Sequence, residues 1–240
     1  GSGFLGRRLA ETLLERGVLR GPAGRDAAIT QITRVDAVPA AGLTDSRIVQ
    51  VTGDVADRQL LERAIDAHTT SVFHLAAIVS GQAEADFDLG MRVNLDASRH
   101  LLEICRQHGK RPRLVFTSSV AVYGGDLPAT VPDDLAVTPQ TSYGTQKAMA
   151  ELLINDYTRR GFVDGRSLRL PTISVRPGRP NAAASSFASG IIREPLNGVV
   201  SECPVAPETG VWLLSPGKVV DAFIHAWELP PEAWGTQRWL

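Results

Sequence analysis

Gly1-Ser2-Gly3-Phe4-Leu5-Gly6 opens the chain, and the apolar pattern directly after it decides the fold. Leu5, Leu9, Leu13 and Leu14 recur at helical spacing until Gly17 supplies a stop, so a helix over 4–16 starts directly on glycines. Such a helix turns its free N–H groups and positive dipole end toward Gly3 and Gly6, where the lack of side chains lets a phosphate approach the backbone. Further along, 29–36, 47–52, 71–76, 113–118 and 167–175 are short runs rich in Val, Ile, Leu and Phe, bounded by turn residues or Pro, and read as strands. Helical spacing fills 57–68, 84–108, 142–160, 185–196 and 217–229. Strands alternating with helices long enough for crossovers predict an α/β fold, a doubly wound parallel sheet of Rossmann type, over 1–175. From Arg176 the chain turns rich in Pro and small residues, which predicts a smaller, loop-rich C-terminal substrate-binding lobe over 176–240, interleaved with the first domain. A glycine loop of this kind follows a strand. The expectation is therefore that a first, central strand before Gly1 is missing and that the lobe is truncated at its end.

The 240 residues are 43% apolar and 21% charged, the composition of an ordinary globular protein rather than a disordered or collagen-like one. With 25 basic against 26 acidic residues there is no basic stripe, so nucleic acid is not an expected partner. The longest apolar run, 72–79, is far short of the roughly 20 residues that cross a bilayer, and no membrane association is expected. Cys105 and Cys203 lack the spacing of a disulfide framework or a redox motif, which points to a reducing compartment and the cytoplasm. His100, Cys105 and His108 share a helix without sharing a tight face, and with no fourth ligand nearby no metal is expected.

Val35-Asp36 closes the strand after the glycine helix. An acidic residue there accepts hydrogen bonds from ribose hydroxyls and repels a 2′-phosphate, which favours NAD over NADP. The separation of Gly6 from Asp36 exceeds the usual roughly 20 residues, and a loop insertion around 21–26 accounts for it. Gly53-Asp54-Val55 follows the next strand, where Asp54 either faces an adenine amino group or simply starts a turn. Lysine occurs only at Lys110, Lys147 and Lys218, so Tyr143-Gly144-Thr145-Gln146-Lys147 stands out. Tyr and Lys at i and i+4 share a helix face, and an ammonium beside the phenol lowers a pKa that is otherwise about 10, making Tyr143 a usable base. Thr117-Ser118-Ser119 ends a predicted strand, where ligands of parallel sheets bind, so Ser119 is placed to hold a substrate oxygen.

Taken together, the glycine loop, Gly53-Asp54-Val55, His74-Leu75-Ala76-Ala77, Ser119 with Val120-Ala121-Val122-Tyr123-Gly124, and Tyr143-x-x-x-Lys147 resemble the extended short-chain dehydrogenase/reductase family over nearly the whole chain. The resemblance implies that Ser119, Tyr143 and Lys147 are catalytic and that Lys147 also bonds the nicotinamide ribose. Asn94 would support a water relay behind the lysine. NAD would be bound by Gly3, Phe4, Leu5, Gly6, Asp36, Asp54, Val55, Leu75, Ala76, Ala77, Asn94, Tyr143, Lys147 and Pro171. A homodimer through the helices at 84–108 and 142–160 is implied as well. Residues 74–86, 138–147 and 169–195 narrow the resemblance to members that oxidise a short, four-carbon sugar acid to its 2-oxo form. Ser80, Ser119, Tyr143, Asn181 and Ser185 are then candidates for the substrate hydroxyls. Arg179 and Arg193, with Arg176, are candidates for its carboxylate, which a guanidinium matches in a bidentate pair. Two other readings remain: a nucleotide-sugar epimerase or dehydratase using the same Tyr and Lys, and a non-catalytic NAD-sensing module, which has no need of all three catalytic residues.

Overall fold

Helix α1 (Phe4–Arg16) runs from the glycine loop to Gly17, whose φ of 67° lets its N–H close on the Leu13 carbonyl at 3.0 Å. The structure is a computed structural model and describes residues 1–21, 24–39, 42–178 and 183–240. After α1 comes a short antiparallel hairpin, β1 (Val18–Arg20) with β2 (Asp26–Ala28), which is the extra length between Gly6 and Asp36. The parallel strands are β3 (Ile32–Asp36), β4 (Ile48–Thr52), β5 (Ser71–His74), β6 (Arg113–Ser119) and β7 (Asp164–Leu170). They pair as two groups, β3 with β4 and β5-β6-β7.

Helices cover both faces. Val115 of β6 packs with Leu9 and Leu13 of α1 and with Val219, Phe223 and Ile224 of the late helix α8 (Pro216–Glu228), and Ile32 and Phe73 join the same core. Leu114 and Phe116, its neighbours in the strand, pack on the opposite side against α2 (Arg58–Ala64), α5 (Ala97–His108) and α6 (Ser142–Arg159) through Leu61, Leu101, Leu102, Ala150 and Ile154. The period of two along β6 thus divides one apolar run between two cores, as expected for a doubly wound sheet.

Two elements differ from the sequence reading. The helix expected over 84–108 is broken: α3 (Ser80–Ala85) ends before Asp86, whose carboxylate accepts the Leu89 N–H at 3.0 Å and caps α4 (Phe87–Gly90). A wide π-helical turn (Met91–Asp96) then leads into α5. The strand expected over 167–175 begins earlier, at Asp164, and stops before Pro171, which has no N–H to donate. Beyond it β8 (Thr172–Ile173) leaves for a separate parallel pair with β9 (Leu213–Leu214), and α7 (Phe187–Leu196) lies between them in the chain. The chain then returns to the sheet through α8 and through Trp239, which bridges Ser167.

At the amino ends of β6 and β7 the interior is charged. Asp164 accepts Arg113 Nε at 3.1 Å and Arg166 Nη2 at 2.8 Å on one oxygen, and Arg238 on the other. The guanidiniums also cap the end of α8: Arg113 and Arg166 donate to the Trp227 carbonyl, and Arg166 to that of Ala226. All four side chains are buried.

Candidate active site

Thr141 caps α6 by accepting the Gly144 N–H at 3.1 Å, which sets Tyr143 in the first turn. Gly144 lies against the short 3₁₀ turn Val120–Val122, where a Cβ would come within 2.1 Å of the Ala121 carbonyl oxygen. Only glycine lets α6 approach the end of β6 this closely, and the approach brings Tyr143 to Ser119. Burial pushes the Tyr143 phenol above its ordinary value, while the Ser119 hydrogen bond and the charge of Arg176 pull it down.

Lys147 lies beside Tyr143 on α6: Nζ donates to the Thr117 carbonyl at 2.7 Å and lies 4.6 Å from the Phe116 ring centre and 5.7 Å from that of Tyr143. Burial brings Lys147 down to about 7, opposed by Glu151 one turn further along α6. Glu151 accepts the Ser118 hydroxyl and a two-pronged pair from Arg169, with Nη2 at 2.7 Å; Arg169 in turn donates to the Tyr123 hydroxyl at 2.6 Å. This buried network escaped the sequence reading, although a carboxylate four residues after Lys147 on the same face was its readable signal.

At the end of β5, His74 Nε2 lies 2.9 Å from the Ser98 hydroxyl, which also lies 2.9 Å from the Asn94 carbonyl. The serine proton goes to that carbonyl, so His74 donates from Nε2. Burial, with the Lys147 charge adding to it, lowers its pKa to about 3. Asn94 sits in the π-helical turn: its Oδ1 accepts the Ile78 N–H at 2.8 Å, and Nδ2 donates to the Ile78 carbonyl at 3.2 Å and to Gln146 at 2.7 Å. It therefore holds the segment after Leu75, Ala76 and Ala77 against α6, through a glutamine inside the Tyr143-to-Lys147 stretch.

The glycine loop fits a dinucleotide. Gly3 caps α1 with no side-chain bond and no acidic residue in the first turn, and a Cβ on Gly3 would meet nothing within 4 Å. A Cβ on Gly6 would lie 2.7 Å from the Gly1 carbonyl oxygen, so the loop closes only around glycine. Phe4 and Leu5 direct their side chains into the core. Asp36 accepts the Ser2 N–H at 2.6 Å and the Val38 N–H at 3.2 Å; burial pushes its carboxyl up, and these bonds hold it below the usual range. Asp54 follows the end of β4 with Val55 beside it and pairs with Arg92, a partner the sequence reading missed. Pro171 is buried where β7 gives way to β8.

Of the residues expected to meet substrate, Ser80 accepts the Ala184 N–H at 3.2 Å and Ser185 accepts Arg176 Nη2 at 2.9 Å, so the 184–185 turn closes over the start of α3. Arg193 is turned instead to Glu194, at 2.5 Å, and to the Arg176 carbonyl, at 2.6 Å. Arg179 and Asn181 lie outside the described residues. No helix among the described residues is long and apolar enough to cross a membrane.

A doubly wound sheet with a dinucleotide cradle on its first helix, and Ser, Tyr and Lys at the carboxyl end of a central strand, is the arrangement of an NAD-dependent dehydrogenase or epimerase. The chain belongs to the NAD dependent epimerase/dehydratase family, which it matches over residues 1–227. It is 64% identical over 238 residues to D-erythronate dehydrogenase of Cupriavidus necator, covering 99% of this chain and 73% of that one. To D-erythronate dehydrogenase of Haemophilus influenzae it is 51% identical over 231 residues, covering 96% and 71%. The crystal structure of the nucleoside-diphosphate-sugar epimerase from Agrobacterium tumefaciens has the same fold, with a TM-score of 0.90 and 43% identity over 100% of this chain and 70% of that one.

Proposed function

We propose that this chain is an NAD-dependent dehydrogenase that oxidises D-erythronate at C2 to 2-dehydro-D-erythronate. The observation that carries the reading is the meeting of Ser119, Tyr143 and Lys147 at the end of β6 in a chain 64% identical to a D-erythronate dehydrogenase. Bound at the mouth of α1, NAD supplies the hydride acceptor. Tyr143, ionised, takes the hydroxyl proton, and Ser119 orients the substrate oxygen. Lys147, with a pKa of about 7, both gives and takes a proton at neutral pH. One alcohol yields one ketone, one NADH and one proton.

In this reading the N–H groups from Gly3 to Gly6 hold the pyrophosphate. Asp36 takes the ribose, Asp54 and Val55 the adenine, and Leu75, Ala76, Ala77, Asn94 and Pro171 line the nicotinamide half. Residues 1–175 form the NAD-binding domain and 176–240 contribute the substrate lobe, with Ser80 and Ser185 on the sugar-acid hydroxyls. The form proposed is a cytoplasmic homodimer. Phe87 of α4 and Leu152 of α6 are 58% and 57% exposed, and a groove of about 430 Å³ beside these helices is lined by Phe87, Met91 and Met149 alongside the polar Glu84, Gln140, Thr145 and Gln146, a mixed surface that a second copy covers.

Purified protein given NAD and a panel of four- to six-carbon sugar acids is expected to form NADH fastest with D-erythronate. No NADH from any acid, together with NAD retained through purification, supports the epimerase reading suggested by the name of the Agrobacterium structure, because an epimerase returns its hydride to the substrate.

A further inference from the structure

Around the site, arginines are matched one to one with carboxylates: Arg92 with Asp54, Arg169 with Glu151 and Arg193 with Glu194. Arg176 is the exception, with no acidic partner among the described residues. It is nevertheless held firmly. Its N–H donates to Ser189 at 3.0 Å, Nε to the Ile173 carbonyl at 3.1 Å and Nη2 to Ser185 at 2.9 Å, while Arg193 supports its carbonyl from behind. Three of its five guanidinium N–H donors find no acceptor among the described residues. The turn that carries Ser185 touches Ser80, so the guanidinium belongs to the loop cluster above the ends of β5 and β6, on the side of Tyr143. Removing a cation from water without an anion is costly, and a group fixed in this way is preorganised for an anion brought by a ligand.

We infer that Arg176 is the residue that binds the substrate carboxylate, and that by doing so it selects the hydroxyl on the adjacent carbon for oxidation. The inference deepens the dehydrogenase reading above and rests on it for the identity of the acid. With the carboxylate on Arg176 beside the phenol, the carbon nearest Tyr143 is C2; the C3 and C4 hydroxyls extend toward Ser80 and Ser185. The site is thereby selective for 2-hydroxy acids over neutral polyols. Lys147 cannot take this part, since it is buried and donates to the Thr117 carbonyl.

The test separates binding from turnover. 3,4-Dihydroxybutanoate keeps the carboxylate and lacks the reacting hydroxyl; erythritol keeps the hydroxyls and lacks the carboxylate. Their binding to NADH-loaded wild type, Arg176→Gln and Arg176→Lys is followed by NADH fluorescence, with D-erythronate turnover measured in parallel. Arg176→Gln is expected to weaken 3,4-dihydroxybutanoate by about 100-fold, the scale of a charge-assisted pair; because the Arg176 charge also pulls the Tyr143 phenol down, kcat and KM are compared at the alkaline rate plateau of each protein, where the KM for D-erythronate rises far more than kcat falls. Erythritol and NADH affinities stay as in wild type, and Arg176→Lys, which keeps the charge and loses the fork, falls between. Unchanged acid affinity in Arg176→Gln overturns the inference, as does an equal loss for the acid and for erythritol. Should the wild type bind the acid through Arg176 and fail to oxidise D-erythronate, the carboxylate assignment stands and the choice of substrate falls.

Discussion

Replacing Tyr143 by Phe lowers kcat by about 1000-fold, the middle of the range for removing a positioned acid–base group, with NADH affinity and melting temperature close to those of wild type. The substitution deletes one oxygen and leaves the ring, and Gly144, Thr141 and the 3₁₀ turn Val120–Val122 still fix the start of α6. What is lost is the phenol that Ser119 and Arg176 face, the group proposed to receive the substrate proton. Because burial keeps the phenol above its ordinary value, the wild-type oxidation rate rises with pH as Tyr143 ionises, and the variant lacks that rise. Steady-state rates across the alkaline range check both points. A variant within about tenfold of wild type, with the same pH profile, means that another group takes the proton.

Asp164→Asn costs about 3–5 kcal/mol of folding stability, the range for breaking a buried ion pair by removing one partner. Three guanidiniums, those of Arg113, Arg166 and Arg238, converge on this carboxylate, with no other acid in the cluster among the described residues. Neutralising it leaves three buried cations against carbonyls alone. The pH dependence has a definite sign. Burial raises the Asp164 carboxyl, but the three arginines more than reverse this and hold it below its ordinary value. Its contribution is therefore fully present above the unfolded value of about 3.9 and is lost as pH falls through the folded one. Urea titrations of wild type and variant at neutral and acid pH measure both effects. The gap between the two proteins should be wide at pH 7 and narrow in acid. A difference below about 0.5 kcal/mol at neutral pH places the stabilisation in the α8 carbonyl contacts instead.

The sequence reading succeeded where side-chain chemistry follows chain period. Leu114, Val115 and Phe116 announce a strand buried on both faces, and Leu5, Leu9 and Leu13 announce α1. It failed at the start of β7, since Asp164 and Arg166 are charged residues buried through mutual pairing, which no hydrophobic pattern can register. The split of the 167–175 run was legible in principle: Pro171 cannot donate to a ladder. So was the break at Asp86, a capping residue inside an apolar stripe. In the site, Tyr143 and Lys147 were visible by spacing, whereas the hydrogen bond of Lys147 to the Thr117 carbonyl and the approach of the Arg176 charge to Tyr143 depend on chain brought from elsewhere in the sequence.

The central claim, hydride loss from C2 of D-erythronate, is tested most directly with substrate deuterated at C2. Incubation with NAD and analysis of both products by NMR should give one deuterium on the reduced nicotinamide for each 2-dehydro-D-erythronate formed. Reduced cofactor without deuterium, or deuterium retained in a sugar acid with no net NADH, contradicts it.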